Sequence, residues 1–148
     1  MTQLSEHFSL VELCASSTAQ RLGIDNTPGL ETITHLTRLA AGLEKVRGAL
    51  GGHPLHVDSG YRCPTLNRAV GGARNSAHMS GYAADFTCPD FGTPLQIVKR
   101  LVAAGIRADQ IIQEGTWVHV SFDPAMRGQI LTAHFGSSGT TYTAGLTA

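Results

Sequence analysis

Charge is scarce in this chain, and it is balanced. Eleven basic and eleven acidic side chains make up 15% of 148 residues and cancel to a formal net charge of zero, against about 25% charged residues in an average soluble domain. A nucleic-acid binder normally carries a basic excess over the phosphates it neutralises, so that class is disfavoured. No apolar run approaches the ~18 residues that a helical membrane span needs. Cysteine is limited to Cys14, Cys63 and Cys88. An odd number without a CxxC pair argues against a disulfide framework and a four-cysteine zinc site, although a Cys63 to Cys88 bridge stays open. The opening residues MTQLSEHFSL lack a basic stretch followed by an apolar one, so no secretory signal is expected and synthesis is placed in the cytoplasm. What is present, 42% hydrophobic residues at a mean hydropathy near zero, is an ordinary globular composition. The length predicts one domain over 1–148, large enough for a real core.

From His7 to Gly51 the pattern is helical. Ser9 can cap a short helix through Leu10, Val11, Leu13 and Cys14, with Glu12 as a capping-box partner. After a turn at Ile24 to Pro28, apolar residues recur every three or four positions from Leu30 to Leu50, predicting one long helix that Gly51-Gly52 ends. Beyond Pro54 the period changes to two, which predicts a strand with Leu55 and Val57 on one face. A glycine-rich loop from Ser59 to Gly81 has room for one helical turn near Leu66 to Val70. Tyr82 to Cys88 reads as a strand with Ala83, Asp85 and Thr87 sharing a face. Thr93 and Pro94 then open a helix that Gly105 stops, and strands at Gln110 to Glu114 and Trp117 to Phe122 complete an α+β fold. The small, uncharged stretch from Gly136 to Ala148 predicts a frayed tail, with an edge strand at Thr140 to Thr143 as the alternative.

Two segments carry chemistry: SAHMSGYAADF, Ser76 to Phe86, and TWVHVSF, Thr116 to Phe122. His78 and Asp85 suit a loop ligand leading into a strand ligand. Strand alternation puts Trp117, His119 and Ser121 on one face, with Val118, Val120 and Phe122 on the core face. His78, Asp85 and His119 together would leave a fourth position open for water, as a catalytic zinc site requires. If Gly115-Thr116 form a two-residue turn, Glu114 lies across from Trp117, on the face of His119 and roughly 7 Å away by backbone. From there a carboxylate can take a proton from an attacking water and return it to the leaving amine.

These residues resemble the M15-type zinc D-Ala-D-Ala carboxypeptidases and peptidoglycan endopeptidases, which share a fold with the hedgehog signalling domain. The resemblance covers about residues 7 to 123 and rests on four strings in order: HFSLVELCAS, SGYRCPTLN, VGGARNSAHMSGYAADF and EGTWVHVSF. It implies a small antiparallel sheet with flanking helices, Zn2+ as cofactor, and His78, Asp85 and His119 as its ligands. It also implies Arg62 as holder of the substrate carbonyl or carboxylate and Ser76 as a pocket residue. Trp117 is read equally as cleft wall or packing residue, and Asp58 as partner of a ligand histidine or as loop cap. Several relatives carry the acidic base three residues before the last histidine; that position here is Thr116, and the nearest acid is Glu114.

The leading expectation is therefore a zinc peptidase, a monomeric phage or prophage lysis or tail-associated enzyme acting on peptidoglycan peptides, in the periplasm or wall after holin-type release or particle delivery. No nucleic-acid or membrane partner is expected. Two other readings stand beside it: a non-catalytic zinc-holding wall-binding or protein-binding module on the same fold, and a peptidase for free dipeptides.

Overall fold

A computed structural model describes residues 2–146 of the chain. Among them, two short helices lead into a long one. Helix α1, Leu10–Cys14, starts where Ser9 Oγ accepts the Glu12 backbone N–H. Helix α2, Ser17–Leu22, is capped in the same way by Ser16; the apolar spacing had not singled it out. Helix α3, Leu30–Ala49, follows the predicted stripe closely: Leu36, Leu39, Leu43 and Val46 are fully buried, while Leu30 at its first turn is exposed.

The remaining elements are β1 (His56–Ser59), α4 (Pro64–Ala69), β2 (Ala83–Thr87), α5 (Pro94–Ala103), β3 (Gln110–Gln113), β4 (Val118–Ser121), β5 (Gln129–Gly136) and β6 (Gly139–Ala144). Cys63 caps α4 through its thiol, and Thr93 and Gln96 form a full capping box on α5. The six strands form one sheet in the order β1-β2-β4-β3-β5-β6. Every neighbouring pair is antiparallel except β3 and β5. That parallel pair arises because the chain leaves β4 and enters β5 at the same end of the sheet, with β3 between them.

Alternation then divides the sheet into two faces. Ala84, Phe86, Ile111, Val118 and Val120 join the buried side chains of α3 and α5 in one core. The opposite face carries Asp85, His119 and Ile112, which are register partners in a row across β2, β4 and β3.

One sequence expectation needs correction. The expected loose tail is β6, paired with β5 over six positions, while Thr147 and Ala148 lie outside the described residues. Threonine and tyrosine supply strand propensity there, but every residue of β6 is exposed, so no apolar alternation marks it. Beyond the span of the family resemblance, about residues 7 to 123, Thr132 and Ala133 are buried. The Cys63 to Cys88 bridge that the sequence left open is not formed: all three cysteines are free, Cys63 serving as a helix cap and Cys88 buried.

Candidate metal centre

His78 sits at the end of the loop that joins α4 to β2, and Asp85 and His119 lie directly opposite each other on β2 and β4. His78 Nε2 is 3.3 Å from Asp85 Oδ2, and His119 Nδ1 is 2.9 Å from Asp85 Oδ1. One donor atom from each residue falls within 4.8 Å of the others. Bonds of about 2.0–2.1 Å at a tetrahedral centre put donor atoms about 3.3 Å apart, so the spacing fits zinc. The donor set, two imidazoles and one carboxylate, fits it as well. His78 is prepared for this role by its other nitrogen. Its Nδ1–H donates to the Gly60 carbonyl at 2.7 Å, which leaves Nε2 free to face Asp85.

Glycine is required at position 60, because a Cβ there would collide with the Leu13 carbonyl. Asp58 does not take the role of histidine partner. It is the extra residue of a bulge between Val57 and Ser59, and its side chain is largely exposed. Burial alone would raise the Asp85 carboxyl, but hydrogen bonds and charge from His119 and His78 hold it well below the usual carboxylate range. Burial pushes the His78 imidazole the other way, below its ordinary value. Both shifts favour the metal-binding forms, ionised carboxylate and neutral imidazole.

These three residues line a cavity of about 570 Å³ together with Arg62, Ser76, Glu114 and Trp117. All seven residues singled out in the sequence thus meet in one place. Arg62 is anchored by its backbone N–H to the His78 carbonyl, and its Nη2 donates to Ser76 Oγ at 3.4 Å. Its Nε is buried without an acceptor, a donor waiting for an oxygen that the protein does not supply. Ser76 Oγ also accepts the His78 backbone N–H.

Glu114 occupies the position expected from hairpin geometry. Its N–H donates to the Trp117 carbonyl at 3.0 Å across a turn in which Gly115 has φ +79°. That positive φ favours glycine at the turn. Burial raises the Glu114 carboxyl above its usual range; the charge of His119 opposes the rise and that of Asp85 adds to it.

Residues 6–121 match the peptidase M15 family. The chain belongs to that family. A zinc D-Ala-D-Ala carboxypeptidase from Streptomyces albus G is 51% identical over 43 residues, a stretch that covers 29% of this chain and 17% of that protein.

The cleft also has residues that the sequence reading missed. Leu131 and Tyr142 line the cavity from β5 and β6, and Asp109 and Arg127 line it from either side of the sheet end. Asp109 is buried and accepts the Arg127 backbone N–H, Nε and Nη2 at 2.8–2.9 Å. The usable signal was the pairing of a carboxylate just before β3 with the arginine just before β5. No helix among the described residues is long and apolar enough to cross a membrane.

Proposed function

We propose that this peptidase hydrolyses a peptide bond in bacterial peptidoglycan, with His78, Asp85 and His119 holding Zn2+. The carrying observation is the convergence of these donors, at zinc spacing, in the cavity that Glu114 and Arg62 also line. The name of the partial relative, a zinc carboxypeptidase for D-Ala-D-Ala, supports both the ion and the wall-peptide substrate.

Zinc supplies a Lewis acid that polarises the scissile carbonyl and makes water nucleophilic near neutral pH. The protein supplies the rest. Glu114 takes a proton from the attacking water as the new C–O bond forms. It then gives that proton to the amine nitrogen as the C–N bond breaks, so that the carboxylate is restored. Its partly buried position raises its proton affinity, which suits a group that must hold the proton between the two events.

Arg62 faces developing negative charge with a buried, unpartnered Nε–H, and its guanidinium can hold either the carbonyl oxygen or a terminal carboxylate. Ser76 fixes the Arg62 head and the His78 backbone, while Trp117 forms the wall beside Glu114. Its indole N–H faces the carboxylate without meeting hydrogen-bond geometry.

The test is mass spectrometry of purified peptidoglycan incubated with zinc-loaded protein, with a chelated sample beside it. New fragments that vanish on chelation are expected, and their masses name the bond. Zinc bound at the site with no new fragments from several wall types would replace this reading with that of a binding module.

A further inference from the structure

The β5–β6 hairpin lies beyond the family match, which ends at residue 121, yet it forms one wall of the cavity. Its register shows how. Leu131 on β5 pairs with Ile112 on β3, the neighbour of His119, and Ala133 pairs with Tyr142 on β6. Tyr142 therefore stands on the same face as the metal site, outside a small alanine. With only Ala133 between them, its phenol ring can lean toward Glu114. Tyr142 lines the same cavity as Glu114 and Asp85, and burial and the charges of those two carboxylates raise its hydroxyl pKa.

Phe135, on the same face of β5, lies 6.4 Å from the ring of Trp117. Phe135 and Tyr142 remain 58% and 52% exposed, so an aromatic ledge stands beside the cleft, open among the described residues. Apolar surface left open beside a cleft is where a ligand can gain contact area. The hairpin is also well anchored: the Asp109–Arg127 pair holds its entry, and Thr132 Oγ1 donates to the Gly145 carbonyl at 2.7 Å.

We propose that this hairpin is a substrate-binding wall and that Tyr142 is a specificity-determining residue, selecting oligopeptides over free dipeptides. The inference rests on the peptidase reading above. Three strand spacings of ~4.8 Å put the backbone of β6 about 14 Å from that of β4, which carries His119. A dipeptide spans at most about 7 Å. With its scissile bond at the metal, it ends short of the ledge, even with Tyr142 leaning inward. A stem peptide extended by two or three residues on that side reaches it, and its apolar side chains can pack on the aromatic rings.

The experiment compares wild type, Tyr142→Phe and Tyr142→Ala on D-Ala-D-Ala and on a stem pentapeptide, with zinc content measured for each. Wild type is expected to favour the pentapeptide by tenfold or more in kcat/KM. Tyr142→Ala should lose most of that preference through a raised KM, with zinc retained, while Tyr142→Phe keeps it. Binding can be followed independently through the fluorescence of Trp117, the chain's only tryptophan. If Tyr142→Ala does not fold, Phe135→Ala carries the same expectation. A wild type that cleaves the pentapeptide with a preference that Tyr142→Ala leaves unchanged overturns the wall alone. A wild type that cleaves neither peptide nor intact peptidoglycan overturns the peptidase reading, and the wall with it.

Discussion

The two banks of the cleft are built by different means. On one, Arg62, Ser76 and His78 are tied by hydrogen bonds: Arg62 N–H to the His78 carbonyl, His78 N–H to Ser76 Oγ, and His78 Nδ1–H to the Gly60 carbonyl. Asn67 adds a clamp, its Nδ2 donating to the Ala73 carbonyl at 2.9 Å. On the other bank, Trp117, Leu131, Phe135 and Tyr142 meet through sheet register, and their rings are bound by contact alone. Directional chemistry needs donors and acceptors fixed in angle, and these hydrogen bonds provide that. An apolar wall needs only side chains on the right face.

That contrast predicts unequal responses to mutation. On the directional side, Glu114→Gln should lower kcat by about 10²–10⁴-fold while zinc content stays unchanged; steady-state kinetics beside metal analysis reads both. Unchanged turnover would remove Glu114 from the proton path. Next in size, Arg62→Ala should cost about 10²–10³-fold in kcat, the usual loss for one donor to a developing oxyanion. If the loss falls on KM alone, Arg62 is holding a carboxylate rather than the reacting carbonyl.

The smallest effect is expected at the anchor of the aromatic bank. Asp109→Asn should lower stability at pH 7 by about 2 kcal/mol, the scale of a charged hydrogen bond. Hydrogen bonds from Arg127 hold the folded Asp109 carboxyl below its usual range. Its contribution is therefore full above the unfolded value of about 4, and it is lost as pH falls through the lower folded value. Thermal melts of wild type and variant should converge in strong acid; a constant gap across pH would contradict this.

Legibility in the sequence followed the same division. The long helix α3 and the strands β2 to β4 were readable because apolar spacing of 3.6 or 2 reports which face is buried. The candidate metal ligands His78, Asp85 and His119 were readable because they sit in strings that resemble those of the M15 family. Tyr142 carries no such string. Its role depends on β5 passing around the end of β3 to pair in parallel, a pairing between segments some twenty residues apart that local period does not encode. Exposure of β6 on all its residues removed the remaining clue. The bulge at Asp58 was equally hidden, and with it the fact that Gly60, not Asp58, orients His78.

The most direct test of the account is the metal content of wild type and Asp85→Ala after zinc loading and desalting, by elemental analysis with circular dichroism as the check on fold. One zinc per folded wild-type chain, and almost none in the folded variant, is the predicted result. Zinc retained at full stoichiometry in Asp85→Ala, or absent from wild type, would contradict the assignment of His78, Asp85 and His119 as the metal centre.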